Sequence, residues 1–283
     1  MDVELRHLRS LAGVIDAGTF TDAGIELGIS QTAVSRNVAA LEAALGARLL
    51  HRTTRSVQLT PAGERVLRQA RRALAVVADL RQEARAGVAT IRIGYAWSAL
   101  GKHTPEFQRR WAAALPEHEL RLIRTNTATA GLNDGTSDLV ILRRIPEATN
   151  LDLVLIGAEK RYCAMSVDDP LARKRTVTLA QIAATPLAID HRTGSTQLDL
   201  WPDGDQPRHT VPTNDVDDWL TVIGSGTARG VTAESTAHQY RRQGLTYRPV
   251  RDAPPVPVYA AWAKADPPTI LQDIITLLAG LYR

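Results

Sequence analysis

The sequence predicts a multidomain protein with a small helical head, one long helix and a larger α/β domain. Three observations lead to this fold class. The chain has 283 residues, more than one hydrophobic core usually organises. Apolar residues recur at helical spacing over the first third of the chain, and short apolar runs alternate with helical segments over the rest. The composition, 44% hydrophobic and 23% charged, is typical of a folded globular protein.

The head begins with three predicted helices. Apolar residues at helical spacing over residues 8–15 predict the first. A second, short helix is capped by Thr19 or Thr21 and ends before Gly28, since glycine is common just past a helix C-terminus. Ser30 then caps a third helix. Two short helices joined by a tight glycine turn are typical of a helix-turn-helix.

The third helix has an apolar and a polar stripe. The apolar stripe comprises Val34, Val38, Leu41 and Leu45. The polar stripe lies near the N-terminus and comprises Gln31, Thr32, Ser35 and Arg36. An α-helix fits the major groove of DNA, and residues near its N-terminus reach the base edges. On spacing alone, DNA recognition and a solvated helical hairpin are equally good interpretations.

Residues 49–60 predict two short strands around a polar turn, a wing that carries Arg52 and Arg55. These arginines would hold flanking phosphates or enter the minor groove. A long helix then starts at Thr60-Pro61, because threonine caps free amides and proline suits the first helical position. Its heptad seam predicts a partner helix and comprises Val66, Ala70, Ala73, Val77, Leu80 and Ala84. Gly87 marks the domain boundary.

Beyond Gly87 the pattern becomes that of an α/β domain. Buried strands are predicted at 91–95, 119–124, 138–142, 151–157 and 162–167. A mixed sheet with crossover helices is expected. The chain has two places, residues 159–161 and 258–264, where a strand would pass from one lobe to another and back.

Composition and motifs exclude several classes of protein. The net charge of +4 and pI near 9.4 suit nucleic acid, but acids and bases balance over residues 1–60, so the attraction must be local. No signal peptide and no apolar run of about 18 residues is evident, which predicts a cytoplasmic protein without membrane contact. The single cysteine, Cys163, excludes a disulfide framework and predicts a buried, inert thiol.

Enzyme motifs are missing from the sequence. It contains no GxxxxGK phosphate loop, HExxH zinc motif or GxSxG nucleophile elbow. The paired carboxylates at 168–169 and 217–218 have the positions of turn or helix-start residues. We therefore expect no catalytic site, no metal and no cofactor.

The run over residues 5–64 contains specific residues in a specific order, in addition to the spacing of a helix-turn-helix. Its elements are, in order, Gly-Thr-Phe-Thr at 18–21, Ser30-Gln31, Ser35 with Val38, Leu41-Glu42, Leu45-Gly46, Arg52, and Thr60-Pro61-Ala62-Gly63. In this order the run closely resembles the DNA-binding region of LysR-type transcriptional regulators. A weaker resemblance extends over the whole chain, and implies a linker helix and a two-lobed effector domain of periplasmic-binding-protein type.

The resemblance implies a domain division. Residues 1–60 form the winged helix-turn-helix, and 61–87 form the linker helix through which protomers pair. Residues 88–160 with 264–283 form effector-domain lobe I, and 161–263 form lobe II.

The resemblance also implies a small-molecule effector between the lobes. It places Ser98 at the start of the helix after the first strand, where a hydroxyl and free amides favour a carboxylate or another anion. Capping of its own helix is an equally good role for Ser98. Thr125 and Arg143, which follow the second and third strands, would face the same cleft. Arg143 would bind a carboxylate or form an ordinary ion pair, and Arg144 leaves the choice of arginine open.

Two further residues belong to this expectation. Thr193, in the segment 188–196, is the candidate effector contact from lobe II. Trp97 is bulkier than the small residue expected beside Ser98, so it either narrows the cleft or belongs to the core.

The resemblance implies a homodimer that assembles into a homotetramer. Paired linker helices would place two recognition helices about one DNA turn apart, on a partly palindromic double-stranded operator. It further implies contact with RNA polymerase during activation. The alternative is a small-ligand-binding protein whose helical N-terminus serves oligomerisation rather than DNA recognition.

Overall fold

The computed structural model describes residues 2–52, 57–86, 89–147 and 150–282. It divides into two compact units. The first unit comprises residues 1–90 and 133–136, and the second comprises 91–132 and 137–283. This division agrees with a helical head and linker followed by a larger α/β domain.

The first unit contains four helices and a two-stranded sheet within the described residues. They are α1 (Leu5–Ala17), α2 (Phe20–Leu27), α3 (Gln31–Leu45), β1 (Leu50–Arg52), β2 (Val57–Leu59) and α4 (Pro61–Ala86). The caps explain the boundaries: Thr19 and Ser30 each accept a backbone N–H three residues on, from Asp22 and Ala33. The expected winged helix-turn-helix and long linker helix are confirmed.

The core of the first unit lies between α1 and the other helices. Seven residues of this core have no solvent-exposed surface: Leu11, Val14, Ala23, Val34, Val38, Leu41 and Leu49. Leu45 was expected in the apolar stripe but is 42% exposed, because α3 ends there and the core stops one turn earlier. On α4, Leu67 and Ala70 are buried whereas Val76 and Leu80 are exposed.

The second unit contains three sheets and five helices within the described residues. The strands are β3 (Ala89–Tyr95), β4 (His118–Arg124), β5 (Leu139–Leu142), β6 (Leu151–Glu159), β7 (Arg161–Ser166), β8 (Leu187–Ile189), β9 (Thr210–Pro212), β10 (Gly230–Ala233), β11 (Leu245–Pro249) and β12 (Val256–Ala263). The helices are α5 (Thr104–Ala114), α6 (Leu179–Ala183), α7 (Val216–Gly224), α8 (Glu234–Gln239) and α9 (Leu271–Ala279). All five strands predicted from the sequence are present.

Two lobes are built on different sheets. Lobe I has a five-stranded mixed sheet in the order β4-β3-β5-β12-β6, in which β3 and β5 are parallel and β12 is antiparallel to both neighbours. Lobe II has an antiparallel sheet in the order β10-β7-β11, flanked by the parallel pair β8-β9. Each sheet carries its own hydrophobic cluster. The predicted two-lobed α/β architecture is confirmed.

The structure corrects the expected end of lobe II. Residues 161–263 were assigned to it, but β12 pairs with β5 and β6 in the lobe I sheet. The chain therefore returns to lobe I before Val256. The reason is that the apolar run of β12 is long enough to be a central strand hydrogen-bonded on both sides.

The structure also corrects the expected helix start at Ser98. A short 3₁₀ turn covers Gly101–His103, and α5 begins only at Thr104. Gly101 has a positive φ of 55°, and a Cβ placed there would lie 2.5 Å from the Cα of Ser235. This close approach of two chain segments prevents a regular helix from starting earlier.

Candidate functional site

The polar stripe of α3 is exposed at its N-terminal end. Gln31, Thr32 and Arg36 are exposed, and Ser35 is half-buried. The helix is fixed from the opposite side, where Val34 and Val38 are fully buried in the core. This arrangement presents amide, hydroxyl and guanidinium groups together on the outer face of a rigidly packed helix, as recognition of base edges requires.

The wing is tied to α3 and α4 by hydrogen bonds. The Oε1 atom of Glu42 accepts from the backbone N–H groups of Leu49 and Leu50, at 2.7 and 3.2 Å. Thr60 Oγ1 donates to the Arg48 carbonyl at 2.8 Å and accepts from the Gly63 N–H at 2.9 Å. These bonds fix where β1 and β2 leave the helical core.

Of the two arginines expected in the wing, the structure describes one. Arg52 is the last residue of β1. Arg55 lies outside the described residues.

A second candidate site is a cavity between lobes I and II, here called the cleft. It encloses about 40 Å³, room for a few water molecules and far below the roughly 300–1,000 Å³ of a typical ligand pocket. Its wall comprises Ala96, Trp97, Thr127, Ala128, Ile141, Leu142, Arg143, Arg144, Pro146, Arg192, Thr193, Ser195 and Thr236. Trp97 of lobe I and Thr193 of lobe II are hydrogen-bonded across it.

Ser98 does not line this cavity. It is fully buried, and its hydroxyl bonds Ser235 Oγ at 2.9 Å across the lobes. The hydroxyl neither caps α5 nor faces the cleft, so both roles expected for it differ from its observed contact. Thr125 also lies outside the cavity wall, where its backbone N–H donates to the Tyr95 carbonyl. Thr127, two residues on, lines the wall instead.

Arg143 lines the cleft, but its guanidinium is fully engaged. It forms an ion pair with Glu159 at 2.8 Å and donates to the carbonyls of Ser98 and Ala99. Burial alone would raise the pKa of Glu159, but the charge and hydrogen bonds of Arg143 outweigh burial and lower it. Glu159 also accepts from the backbone N–H of Ser235 in lobe II. The pair therefore holds the crossing point between the lobes.

Unlike Arg143, the cleft residues Arg144 and Arg192 donate hydrogen bonds only to carbonyl oxygens through their guanidinium groups. Arg144 donates only to the carbonyls of His191 and Arg192, and Arg192 donates to the carbonyl of Asn214. Neither arginine forms an ion pair with a carboxylate of the described residues. Ser195 adds a buried hydroxyl that has no hydrogen-bond partner there. Two guanidinium groups without a carboxylate partner and a hydroxyl without a hydrogen-bond partner, all judged within the described residues, thus lie along one cavity.

Thr193 lines the cleft, as expected. Its hydroxyl contacts Asp190 Oδ2 and Asn126 Oδ1, and accepts the indole N–H of Trp97 at 2.8 Å. Trp97 is only 7% exposed and is in contact with Trp219. It both narrows the cleft and packs in a hydrophobic core, so the two alternatives considered for it hold together.

Two family models match the chain. The bacterial regulatory helix-turn-helix protein, lysR family, matches residues 5–64, and the LysR substrate binding domain matches residues 84–281. The chain belongs to the LysR family of transcriptional regulators. LysR regulators combine a DNA-binding helix-turn-helix with an effector-binding domain, and the two units of this chain correspond to them.

Curated LysR-family proteins are similar over most of the chain. The uncharacterized HTH-type transcriptional regulator YnfL of Escherichia coli (strain K12) is 33% identical over 238 residues, 79% of this chain and 79% of YnfL. The HTH-type transcriptional regulator ShiR of Corynebacterium glutamicum (strain R) is 30% identical over 251 residues, 83% of this chain and 84% of ShiR. These similarities extend well beyond the helix-turn-helix, so they support the family for both units.

Solved LysR-family structures share the fold. CbnR matches with a TM-score of 0.73 at 23% identity, over 99% of each chain. Full-length CbnR in complex with its target DNA matches with a TM-score of 0.69 at 23% identity, over 98% of this chain and 99% of that one.

Sequence reasoning did not single out Arg192 and Ser195, which line the cleft, or Glu159 as the partner of Arg143. Arg192 and Ser195 lie within the segment that supplied Thr193, and its run of polar residues over 190–193 and 195–196 was an available signal. The sequence indicated residues 159–161 only as a crossing between the lobes, because the contact of Glu159 with Ser235 joins residues far apart in the chain. Within the described part of the chain, no cluster of His, Cys, Asp or Glu is arranged to hold a metal, and no helix is long and apolar enough to cross a membrane.

Proposed function

We propose that this LysR-family regulator recognises a partly palindromic DNA operator through Gln31, Thr32, Ser35 and Arg36, with Arg52 and Arg55 on the flanking backbone. The exposed polar stripe on a helix held by a fully buried opposite face supports this assignment. The protein acts in the cytoplasm and has no catalytic activity. It functions as a homodimer that assembles into a homotetramer, and contacts RNA polymerase when it activates.

The effector is a small carboxylate or another anion held in the cleft between the lobes. The observation that carries this proposal is the pair Arg144 and Arg192, whose guanidinium groups meet only carbonyl oxygens in the described structure. A carboxylate between them would gain two charge-assisted interactions. Ser195 and Thr193 would bind the polar remainder of the molecule.

Arg143 and Ser98 have a positioning role in this proposal. Their polar groups connect lobe I to lobe II, through Glu159 and Ser235 respectively. They transmit a change in lobe closure rather than bind the effector.

The DNA interface is tested by salt-dependent binding to an operator selected from a random double-stranded pool. Arg36→Glu should weaken binding and reduce the slope of affinity against salt concentration, because one phosphate or base contact is lost. Arg109→Glu, an exposed arginine of α5 in the second unit, makes the same charge change as a control. Equal binding by both variants and the wild type would contradict the assigned face.

The effector site is tested by thermal unfolding with a panel of mono- and dicarboxylates, sulfate and phosphate. An anion that binds the folded state raises the unfolding temperature of the wild type. The increase should disappear in Arg144→Ala/Arg192→Ala and persist in Arg173→Ala, a control in lobe II outside the cleft. An undiminished increase in the double variant, or a panel without any stabilising anion, would refute the anion site.

A further inference from the structure

Trp97 belongs to lobe I by its position in the chain but to lobe II by its side-chain contacts. It follows β3 of the lobe I sheet, yet its indole is part of a hydrophobic cluster with Ala188, Trp219 and Leu220 of lobe II. The ring centroids of Trp97 and Trp219 are 5.1 Å apart, with planes tilted by 60°. The indole therefore crosses the cleft and fills a site in the opposite lobe.

The indole N–H faces an acceptor site in lobe II. It donates to Thr193 Oγ1 at 2.8 Å and to Asp190 Oδ2 at 3.3 Å. Asp190 is 2% exposed, and its other oxygen accepts from the backbone N–H groups of Arg192 and Thr193. No described residue forms an ion pair with Asp190, so this buried carboxylate depends on N–H and O–H donors. A missing donor there is costly.

The backbone at Trp97 is fixed independently of the ring. The Trp97 carbonyl accepts from Tyr240 Oη at 2.6 Å, and the hydroxyl of the next residue, Ser98, bonds Ser235. Removing the indole from lobe II therefore requires rotation of the side chain rather than movement of the chain. The space it vacates is continuous with the cleft, because Trp97 is part of the cleft wall.

We propose that the Trp97 indole is an internal occupant of the effector cleft, and that the site it vacates accepts a planar heteroaromatic ring with an N–H donor facing Asp190 and Thr193. This inference rests on the proposed effector function of the cleft. With the indole docked, the remaining 40 Å³ has no room for a second ring. An effector with such a ring restores the tilted ring contact with Trp219 and the donor to Asp190, while its anionic group reaches the cleft arginines.

The experiment uses the full-length Trp97→Ala variant and indole as the probe. Removing the side chain leaves a site that has the shape of an indole and the hydrogen-bond acceptors for its N–H group. Binding is measured by calorimetry for indole and for benzofuran, which has an oxygen in place of the N–H group. We expect the variant to bind indole about tenfold more tightly than benzofuran, because benzofuran leaves the acceptors unpaired. Wild-type protein should bind indole much more weakly, because its own side chain fills the site.

Operator binding links this site to regulation. We expect Trp97→Ala to change affinity for the selected operator by about fivefold or more, and saturating indole to reverse the change. Trp111→Ala is the matched control: Trp111 is also buried and donates its N–H to a carbonyl, that of His118, but it lies in the lobe I core. Its operator affinity should not respond to indole.

Several results would overturn the inference. One is that folded Trp97→Ala binds indole and benzofuran with equal affinity. Another is that its operator affinity equals that of the wild type, both with and without indole. If Trp97→Ala does not fold, Trp97→Phe keeps an aromatic ring against Trp219 and lacks the donor. Its operator affinity should shift in the same assay, and wild-type affinity would refute the proposal.

The outcome is separable from that of the anion site. Loss of anion stabilisation in the Arg144/Arg192 variant together with an indole-insensitive Trp97→Ala would retain the effector cleft and refute the internal occupant. An indole-sensitive Trp97→Ala with normal anion stabilisation in the arginine variant would retain the internal occupant and refute the anion site.

Discussion

Arg143 and Arg144 are adjacent in the chain and have opposite environments. The side chain of Arg143 is 10% exposed and pairs with Glu159, whose side chain is 5% exposed. Arg144 reaches the cleft rim and meets only carbonyls. Burial and partner, rather than residue type, separate a structural arginine from a candidate ligand-binding one.

This difference predicts unequal effects on stability. Arg143→Ala leaves the Glu159 carboxylate buried without its cation, so we expect the free energy of unfolding to fall by about 3–5 kcal/mol. Arg144→Ala should change it by less than about 1 kcal/mol, because this half-buried side chain has no ion-pair partner among the described residues and donates only to carbonyls. Urea unfolding of the two variants measures both values. Similar losses in the two variants would contradict the assignment of Arg143 to the interior.

Cys163 is the residue for which burial decides the chemistry. The thiol lies on β7 with no exposed surface, and burial raises its pKa to about 12. The thiolate, which is the reactive form, is then about one part in ten thousand at pH 8. We expect no reaction with a thiol reagent such as dithionitrobenzoate in the native protein and full reaction after unfolding. Fast modification of the native protein would show that the thiol is accessible.

At the scale of elements, the wing and α4 meet at a glycine. A Cβ placed on Gly63 would lie 2.0 Å from the Leu49 carbonyl oxygen, so α4 approaches the chain before β1 too closely for any side chain. The Thr60 hydrogen bonds hold the same junction. The position of the wing thus depends on a residue that has no side chain.

We predict that Gly63→Ala destabilises the first unit by about 1–3 kcal/mol, because overpacking forces a backbone shift. Urea unfolding followed by circular dichroism measures the free energy of unfolding, which should decrease. Operator affinity should decrease as well. Gly224→Ala, near the C-terminus of α7, meets no atom closer than 3.9 Å and serves as the control. Normal stability of Gly63→Ala would show that the junction adapts.

At the scale of the whole molecule, the outer part of α4 has apolar side chains that the described chain does not cover. Val76 is 56% and Leu80 is 60% exposed. The earlier seam residue Ala70 is buried within the first unit instead. The heptad seam therefore divides: its start stabilises the head, and its outer part is available to a partner helix.

We expect Val76→Glu/Leu80→Glu to dissociate the proposed dimer, because charges would enter the exposed apolar face of α4 formed by the seam residue Leu80 and its neighbour Val76. Sedimentation velocity should show a shift toward the monomer, and operator affinity should fall because one half-site is lost. Val167→Glu changes an apolar residue that is 51% exposed outside α4, and should leave the assembly intact. An unchanged assembly in the double variant would refute pairing through this helix.

Local patterns in the sequence were sufficient to predict the main helices and strands of the fold. The caps at Ser30 and Thr60, the pair Thr19 or Thr21 for the cap that the structure assigns to Thr19, and the five apolar strands of the second unit were predicted because each depends on residues a few positions apart. The family motif over residues 5–64 has the same local character. The DNA-recognition stripe was predictable for this reason, and it remains a prediction at the level of individual contacts.

The sequence by itself thus determined the winged helix-turn-helix, the linker helix, the two-lobed α/β unit and the regulator family. Only the tertiary structure decided that β12 belongs to lobe I, that Ser98 and the Arg143 partner Glu159 contact lobe II, and that the Trp97 indole packs against lobe II. Each of these depends on contacts between residues far apart in the chain, such as Trp97 with Asp190 and Thr193. Spacing along a chain specifies local structure, whereas burial and the choice of hydrogen-bond partner are fixed only when distant segments pack together.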